Sequence, residues 1–368
     1  MRICFFFEGL KPGGIERMLA NFTYEMQDRG YNFTLILTGS PTSQDYAIAS
    51  DTEVKWLRHP TNSARGSIPS LVRELRKGDY DILISAMPEF NNAAVLARIL
   101  SGTKTKNLLT ERTSPYPDYA LRSPKQKIWH RAAAIFYPRA AAIVAVSRGL
   151  ADSLARFARL DRSKIDVIYN PAYRPLNDAD RTGQIHPWLT DGAGPVVVTA
   201  GRLATQKDFP TFLRAIKKVK ISRPDVRAIV LGDGDLRGEL EAMAVNLGIA
   251  DAIAFPGFVP DIRESLSASR LFVLSSAWEG FGNVLVEALG AGCSIVSTSC
   301  PDGPAEILSD GDFGILVNVG DDDAMADGII RIIEQPSDPQ DQINRAKQFS
   351  VVHAFTQYEA IFRRITAK

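Results

Sequence analysis

The sequence predicts an α/β protein with two domains, each built on a doubly wound parallel sheet. Short apolar stretches of strand length alternate with longer stretches of helical periodicity, which is typical of βαβ units. The alternation occurs twice, before and after a segment at 172–194 that is rich in Pro, Asp and Gly. A chain of 368 residues is long enough for two domains of ordinary size. Glycine-containing turns that directly follow several of the strands place candidate ligand sites at strand ends.

The first half of the chain carries the first alternation. Strands are predicted at residues 3–7, 34–37, 82–85, 107–110 and 143–146, with a further strand in 165–171 that ends on a turn. Helices are predicted at residues 15–29, 68–76, 93–100 and 149–158. Strands joined through helices pair in parallel, so we expect one parallel sheet with helices on both faces.

The second half repeats the pattern after the 172–194 segment. Strands are predicted at residues 196–200, 228–231, 253–255, 271–274, 294–297 and 314–317, again with helices between them. The last helix, at 352–365, has two interpretations: it crosses back to the first domain, or it is the terminal helix of the second. The predicted division is an N-terminal domain at 1–171, a C-terminal domain at 172–350 and a C-terminal helix segment at 351–368.

Composition restricts the class of protein. The chain is 45% hydrophobic and 23% charged, as in soluble globular proteins, and no apolar run approaches the ~20 residues that span a bilayer. Only three cysteines, Cys4, Cys293 and Cys300, indicate reduced thiols and a cytoplasmic protein. We expect Cys300 to pack rather than to act as a nucleophile, because no group near it would activate it. Four scattered histidines and no Cys-x-x-Cys predict no metal site, and no cofactor is expected.

Charge is unevenly distributed along the chain, although the net charge is only +1. Residues 1–174 hold 25 Lys and Arg against 16 Asp and Glu, and the remainder is acidic. The basic first half favours anionic partners such as a lipid phosphate or an acidic membrane surface, although a solvated basic face also explains part of the excess. The basic residues form no stripe strong enough to predict nucleic-acid binding.

The stretch at 271–292 carries the strongest functional signal. An apolar strand is followed by a turn with Gly280 and Gly282 and then by a helix that begins near Asn283. Such a turn offers backbone N–H groups and the positive end of a helix to an anion. Glu279 and Glu287 flank the turn; carboxylates repel phosphate but accept hydrogen bonds from sugar hydroxyls. A nucleotide sugar, which has both phosphates and sugar rings, satisfies both observations.

The two glutamates have seven residues between them, in the sequence EGFGNVLVEALGAG. This E-x7-E stretch resembles the donor signature of retaining glycosyltransferase family 4, whose GT-B fold has two Rossmann-like domains facing a cleft. The resemblance implies a metal-independent hexosyltransferase that moves a sugar from a nucleoside diphosphate to an acceptor hydroxyl. It also implies that Glu279 holds the transferred sugar and that Glu287 holds the ribose. The neighbouring donor-binding residues implied are Phe281, Gly282, Asn283 and Val284.

Two cations follow the first strand of the second domain, in the sequence GRLATQKD at 201–208. Arg202 and Lys207 suit a diphosphate that gains negative charge as it leaves. The pattern resembles the phosphate-binding Arg/Lys pair of the same family, which implies a catalytic and donor-binding role for both residues.

Glycines mark two further turns that resemble donor-binding loops of the family. Gly13 and Gly14 lie between the first strand and the first helix, where glycine lets the backbone approach a ligand closely. Gly232 lies in the turn LGDGDL at 231–236. That turn has two open interpretations: it lies beside the nucleotide, or it is a helix start capped by Asp235.

The acceptor side departs from the pattern of many relatives, which place a histidine at the end of the fourth or fifth strand. This chain reads LLTERTSP at 108–115 and resembles a subset with Ser/Thr-Glu-Arg there. Glu111 is expected to orient or deprotonate an acceptor hydroxyl, and Arg112 to bind acceptor phosphate, unless the two side chains pair with each other. Ser147, at the next strand end, either touches ligand or caps the helix that follows.

Residues 123–139 mix cations with large aromatic side chains. In one interpretation the segment lies on an anionic membrane; in the other its helix packs Trp129 and Phe136 into the core with the lysines outward. The resemblance implies a lipid-linked or saccharide acceptor in bacterial surface polysaccharide synthesis. That acceptor favours a cytoplasmic protein attached peripherally to the inner face of the plasma membrane.

Two other functions remain open at this stage. A non-catalytic module that binds a sugar nucleotide or a partner would keep the fold without the chemistry, but the intact glutamates and cations argue against it. A phosphorylase of the same architecture would use inorganic phosphate, but the sequence has no lysine motif for its pyridoxal cofactor.

Overall fold

The structure is a computed structural model and describes residues 1–10, 14–41, 46–57, 63–115, 123–178, 181, 183 and 185–367. The chain divides into two compact units. The first contains Met1–Pro171 together with Val351–Lys368, and the second contains Ala172–Ser350. Each unit is an α/β structure with one parallel sheet.

Within its described residues, the first unit contains seven strands: β1 (Arg2–Phe7), β2 (Asn32–Leu37), β3 (Glu53–Trp56), β4 (Ile82–Ala86), β5 (Lys106–Glu111), β6 (Ala142–Ala145) and β7 (Ile165–Val167). The helices described in full before the unit boundary are α1 (Gly14–Asp28), α2 (Ile68–Gly78), α3 (Pro88–Ser101), α4 (Pro124–Arg131), α5 (Ala133–Phe136) and α6 (Arg148–Ala158). The sheet order is β3-β2-β1-β4-β5-β6-β7, and every pairing is parallel.

The core of the first unit explains why its central strands read as continuous apolar runs. Successive residues of β1 from Ile3 to Phe7 are all buried, so both faces of the sheet are covered. Helix α1 contributes Met18, Phe22 and Met26, which recur every four residues and form one buried stripe.

The described part of the second unit contains six strands: β8 (Val196–Ala200), β9 (Arg227–Leu231), β10 (Ile253–Gly257), β11 (Leu271–Leu274), β12 (Ser294–Thr298) and β13 (Ile315–Val317). Its helices are α7 (Phe209–Ser222), α8 (Arg237–Leu247), α9 (Arg263–Ser269), α10 (Asn283–Gly290), α11 (Pro304–Ile307), α12 (Asp322–Glu334) and α13 (Pro339–Lys347). The sheet order is β10-β9-β8-β11-β12-β13, again with parallel pairings only.

The last helix, α14 (Val351–Thr366), belongs to the first unit. Phe355, Tyr358 and Phe362 lie on its buried face at helical spacing. The ring of Phe22 on α1 lies 5.4 Å from that of Phe355 and 5.2 Å from that of Tyr358. The helix is therefore a structural part of the first core.

The predicted α/β class with two doubly wound parallel sheets is confirmed. Strand β3 was not among the predicted strands. It lies at the edge of its sheet and pairs only with β2, and its sequence EVKW is exposed or half-buried throughout. An edge strand that is not buried on both faces carries no apolar run to reveal it.

Each sheet has one point at which the order of its strands reverses. In the first unit this point lies between β1 and β4, and in the second unit it lies between β8 and β11. Open α/β sheets bind ligands outside the carboxyl ends of the strands at such points. The fold therefore places one candidate site in each unit.

Among the residues that the structure describes, no helix combines the length and the apolar character needed to cross a lipid bilayer.

Candidate functional site

The carboxyl edge of the second sheet gathers the residues predicted for donor binding. The loops that follow β9, β8 and β11 contain Gly232, Lys207 and Glu279 respectively, and these three strands are consecutive neighbours in the sheet. The loop after the next strand, β12, contains Cys300, which was predicted only to pack. Two of the loops, those after β8 and β11, flank the point of strand reversal.

Hydrogen bonds join the loops after β8 and β11. The backbone N–H of Ala277 donates to the carbonyl of Gln206 at 2.8 Å, and Gln206 Nε2 donates to the carbonyl of Trp278 at 2.9 Å. These bonds lie next to Lys207 and Glu279, which are 72 residues apart in sequence. The contact between the loops therefore fixes the two side chains opposite each other.

A largely buried ion pair lies at this contact. Lys207 Nζ is 2.5 Å from Glu279 Oε1, and Ser276 Oγ donates to the same oxygen at 2.7 Å. Glu279 is 6% exposed and Ser276 is fully buried. A carboxylate with so little access to water is stable as an anion only when a cation or hydrogen-bond donors face it. Lys207 and Ser276 together orient the Glu279 carboxylate and stabilise its charge.

Ser276 is a site residue to which the sequence analysis gave no role. Its carbonyl accepts a hydrogen bond from Thr298 Oγ1 at 2.6 Å, which ties the loop after β11 to the end of β12. The sequence does carry a signal for this role. A serine that lies three residues before a glutamate in a turn after a strand has a short side chain, which can donate a hydrogen bond to that glutamate within the turn.

Arg202 has different surroundings from Lys207. Its side chain is exposed, and it forms no ion pair or hydrogen bond with any other residue in the described ranges. A planar guanidinium offers a fork of donors that matches a phosphate group. Arg202 is thus placed to receive an anion, whereas Lys207 already has a carboxylate partner.

The glycine turn before α10 has the conformation that its sequence predicts. Gly282 has a φ of 100°, in the left-handed region that favours glycine, and serves as the N-cap residue of the helix that begins at Asn283. Asn283 and Val284 are half-buried in the first turn. Glu287 lies four residues after Asn283 and is half-buried, so the E-x7-E pattern spans the loop and the second turn of the helix.

Phe281 belongs to the core of the second unit. It is 2% exposed, and its ring meets that of Phe349 edge-to-face with a centroid separation of 5.6 Å. A Cβ atom at Gly303 would lie 2.1 Å from the carbonyl oxygen of Phe281, so only glycine lets the loop after β12 approach this closely. The side chain of Phe281 thus holds the loop in place.

Gly232 is required by the approach of two loops. A Cβ atom at this position would lie 2.0 Å from the carbonyl oxygen of Gly201. The alternative interpretation, a helix start capped by Asp235, is wrong. Helix α8 begins at Arg237, and its N-cap residue, Leu236, makes no side-chain capping bond.

The three cysteines are free and buried. Burial and the nearby carboxylate of Glu279 raise the pKa of the Cys300 thiol to about 12. The thiol is therefore protonated at neutral pH and unreactive, as expected for a packing residue. Within the described part of the chain, no group of three or more His, Cys, Asp or Glu side chains is arranged to hold a metal ion.

On the first unit, the predicted glycine pair falls at the start of α1. The helix begins at Gly14, and Gly13 lies outside the described residues. Ser147 is fully buried, and its Oγ accepts a hydrogen bond from the backbone N–H of Leu150 at 3.0 Å. Its capping role at the start of α6 is therefore observed.

Glu111 and Arg112 direct their hydrogen bonds to different partners. Arg112 Nη1 donates to Asn170 Oδ1 at 2.5 Å, and Nη2 donates to Tyr358 Oη at 3.4 Å. Burial lowers the pKa of the Arg112 guanidinium. Glu111, the last residue of β5, accepts instead from Asn91. Arg112 thus connects the loop after β5 to Tyr358 of helix α14 and to Asn170, which lies just before the unit boundary at Pro171.

In the basic segment at 123–139, Trp129 and Tyr137 are turned inward and Phe136 is half-buried. Trp129 packs against the first core, and its ring centroid is 5.9 Å from that of Phe136. Ile128 is 74% exposed and Ile135 is 57% exposed. The inward packing expected of Trp129 is thus observed, whereas Phe136 and Lys127 are half-buried, and the most exposed apolar side chains of this segment are isoleucines.

Comparison with known families agrees with this architecture. A family model described as "Glycosyltransferase Family 4" matches residues 12–172, and one described as "Glycosyl transferases group 1" matches residues 180–349. The first match covers most of the first unit and the second covers most of the second.

Individual relatives match over most of their length. The chain is 28% identical to N-acetylgalactosamine-N,N'-diacetylbacillosaminyl-diphospho-undecaprenol 4-alpha-N-acetylgalactosaminyltransferase of Campylobacter jejuni, over 70% of this chain and 68% of the relative. It is 24% identical to the GalNAc-alpha-(1->4)-GalNAc-alpha-(1->3)-diNAcBac-PP-undecaprenol alpha-1,4-N-acetyl-D-galactosaminyltransferase of the same organism, over 95% and 93%.

Among solved structures, the fold matches that of Anabaena Alr3699/HepE in complex with UDP. The TM-score is 0.77 at 21% identity, and the match covers 99% of this chain and 100% of that chain. Both family models, the relatives and the fold agree: the chain belongs to glycosyltransferase family 4 and has the GT-B fold.

Proposed function

We propose that the protein is a retaining glycosyltransferase that transfers a hexose-type sugar from a nucleoside diphosphate to an acceptor hydroxyl. The observation that carries the proposal is the Lys207–Glu279 ion pair, which lies at the strand reversal of the second sheet in the same loops as exposed Arg202. It combines cations for phosphate with a carboxylate for sugar hydroxyls. The similar Anabaena protein was crystallised with UDP, which supports a nucleoside diphosphate as the donor group.

In this proposal Lys207 connects the sugar-binding carboxylate to the leaving group. An ammonium group has three N–H donors. One of them contacts Glu279, and the others can turn toward a phosphate oxygen. Arg202 binds the diphosphate as a second cation. As the bond to the sugar breaks, negative charge grows on the diphosphate, and fixed cations stabilise it without reorganisation. Glu279 holds a hydroxyl of the transferred sugar, and Glu287 holds the ribose.

The proposed acceptor is a lipid-linked glycan, and Glu111 is the proposed acceptor-side carboxylate. Both Campylobacter relatives are named for acceptors in which a glycan is joined to undecaprenol through a diphosphate. Arg112 is proposed as a residue that shapes this side, since its guanidinium is committed to Asn170 and Tyr358.

A panel of nucleotide sugars, assayed with a polyprenyl-diphosphate glycan and with EDTA present, tests the donor chemistry. We expect one donor to be consumed and the product to be α-linked by NMR. We also expect the rate to be unchanged by EDTA, because Arg202 and Lys207 neutralise the leaving diphosphate. The matched control is Glu279→Gln, which keeps the shape of the proposed sugar-binding side chain while removing its charge. Loss of activity in EDTA with rescue by magnesium or manganese would contradict the proposed role of the two cations, and transfer with inversion would contradict retention.

We further propose that the first unit binds an anionic membrane surface through the segment at 123–139. The exposed isoleucines Ile128 and Ile135 supply an apolar contact, and the exposed cations Lys125, Arg131 and Arg139 supply charge. Each cation near an anionic surface contributes about 1 kcal/mol. A few cations with two isoleucines give reversible attachment without insertion across the bilayer.

Sedimentation with liposomes tests the membrane proposal. Protein is expected to co-sediment with anionic liposomes at low salt, to detach at high salt, and to ignore neutral liposomes, because salt screens the attraction. Lys125→Glu with Lys127→Glu, or Ile128→Ser with Ile135→Ser, should each weaken binding. The double change Arg73→Glu with Lys77→Glu, at exposed positions of α2, makes the same change in net charge elsewhere on the unit and should bind better than the first pair. Wild-type protein that remains in solution with anionic liposomes at low salt would rule out this attachment.

A further inference from the structure

Two polar side chains from separate elements donate hydrogen bonds to one carboxylate oxygen inside the first unit. Glu111 Oε1 accepts a hydrogen bond from Asn91 Nδ2 of α3 at 2.8 Å. The same oxygen accepts a second, short hydrogen bond from the hydroxyl of Tyr137, which begins a single 3₁₀ turn at Tyr137–Arg139. Glu111 itself ends β5, next to β4 in the sheet, so the cluster lies at the carboxyl edge of the sheet.

The cluster is almost completely removed from solvent. Glu111 is 2% exposed, Tyr137 is 1% exposed and Asn91 is fully buried. Burying a carboxylate is costly, and Asn91 and Tyr137 are uncharged donors that each offset part of that cost. Apolar side chains of similar volume often replace buried charged groups without loss of stability.

The orientation of Asn91 is fixed by its other contacts. Its Oδ1 accepts a hydrogen bond from Ser85 Oγ at 2.6 Å, and its Nδ2 also donates to the carbonyl of Thr110 at 3.0 Å. Turning the amide over would place an oxygen against both the Thr110 carbonyl and the Glu111 carboxylate. The amide hydrogens must therefore point toward Glu111.

Tyr137 acts as a hydrogen-bond donor for a related reason. Burial and the neighbouring Glu111 carboxylate raise its pKa well above the ordinary value, so the phenol stays protonated. Among the described residues, the charged or titratable groups near the cluster include Arg112 on the loop after β5 and Glu89 on α3, whose Oε1 lies 3.0 Å from Nε2 of His130 on α4. Asn91 and Tyr137 are uncharged groups, and both donate directly to Oε1.

We propose that Asn91 and Tyr137 are positioning residues of the acceptor site, which hold the Glu111 carboxylate ionised and in one orientation. The inference rests on the proposed function, in which Glu111 receives a hydrogen bond or the proton from the acceptor hydroxyl. Donors that favour the charged form keep a carboxylate ionised to lower pH. They also restrict its rotation, which keeps the carboxylate in one orientation toward the acceptor hydroxyl.

The Tyr137→Phe variant tests this role, because it removes one hydroxyl and little volume. Without that donor the charged form is less stable, so Glu111 takes up a proton at a higher pH. The acidic limb of the kcat profile is therefore expected to move up by about one pH unit, and kcat at neutral pH to fall about tenfold. The KM for the nucleotide sugar should not change, since Arg202, Lys207, Glu279 and Glu287 lie in the other unit. Asn91→Ala removes the other donor and should move the acidic limb in the same direction.

The matched control is Tyr31→Phe. Tyr31 Oη donates to Glu359 Oε1 at 2.6 Å in the same unit, but Tyr31 precedes β2 and so lies at the opposite edge of the sheet. This variant loses the same kind of bond and should keep the wild-type pH profile. If Tyr137 has only a structural role, Tyr137→Phe will lower the melting temperature without moving the acidic limb of the kcat profile, and that result would overturn the proposal.

Carbon-13 NMR of glutamate-labelled protein supplies a readout that needs no activity. The Glu111 carboxyl resonance, assigned with Glu111→Gln, is expected to titrate at a higher pH in Tyr137→Phe than in the wild type. An unchanged titration overturns the inference whether or not the enzyme transfers sugar. A shifted titration in a protein that consumes no nucleotide sugar supports the effect on Glu111 and instead contradicts the proposed function, so the two failures are distinguishable.

Discussion

Replacing Glu279 with alanine is expected to lower kcat by about 10²-fold or more, with a smaller change in the KM for the donor. Glu279 is oriented by Lys207 Nζ and Ser276 Oγ, both on Oε1, so it presents a fixed acceptor to the sugar. A fixed hydrogen bond to the sugar contributes most when the reacting carbon has moved toward the transition state. Steady-state kinetics with varied donor separate the two parameters, and Glu279→Gln keeps the shape while removing the charge.

Glu287→Ala, in the same loop-and-helix stretch, is expected to affect a different kinetic parameter from Glu279→Ala. If Glu287 binds the ribose, its contact is the same in the ground state and the transition state, so its loss raises the donor KM and leaves kcat largely unchanged. Melting temperatures of both variants serve as the control for folding. A Glu279→Ala enzyme with full kcat, or a Glu287→Ala enzyme with an unchanged donor KM, would remove the role proposed for that residue.

The sequence predicts the architecture of each unit because burial on both faces leaves continuous apolar strands such as β1 and β11. It also locates the stretch around Glu279 by type and spacing of residues. The sequence does not show that Lys207 touches Glu279, because that contact depends on β8 and β11 becoming neighbours in the sheet. The order of strands in a sheet depends on the whole fold, so the local sequence pattern of each strand does little to predict which strands become neighbours.

Other positions became interpretable only with their surroundings. Tyr137 lies in a segment that reads as a mixture of cations and aromatic residues, and nothing local indicates its bond to Glu111, 26 residues earlier. The exposed isoleucines Ile128 and Ile135 are not distinguishable in sequence from core residues, because helical periodicity gives a face but not its direction. Arg112 likewise reads as a cleft cation, and its partner Tyr358 is 246 residues away.

Arg202→Ala and Lys207→Ala are each expected to lower kcat/KM by a factor that corresponds to a loss of about 2–4 kcal/mol of transition-state stabilisation. Each variant removes a charge-assisted contact that strengthens as the diphosphate leaves. The structure separates the two variants by their stability. Arg202 is exposed, so Arg202→Ala should leave the free energy of unfolding unchanged. Loss of Lys207 leaves the buried Glu279 carboxylate without its cation, at a cost of about 1–3 kcal/mol in the free energy of unfolding.

Denaturant unfolding of the single variants and of Lys207→Ala with Glu279→Ala measures this difference. The double variant should be more stable than the sum of the single effects predicts, because removing the carboxylate also removes the uncompensated buried charge. Arg202→Ala combined with Glu279→Ala is the matched control and should show additive effects, since Arg202 does not contact Glu279. Additive effects for the Lys207 pair, or equal destabilisation by the two cation variants, would mean that the ion pair does not stabilise the site. In that case Lys207 would act on the diphosphate alone.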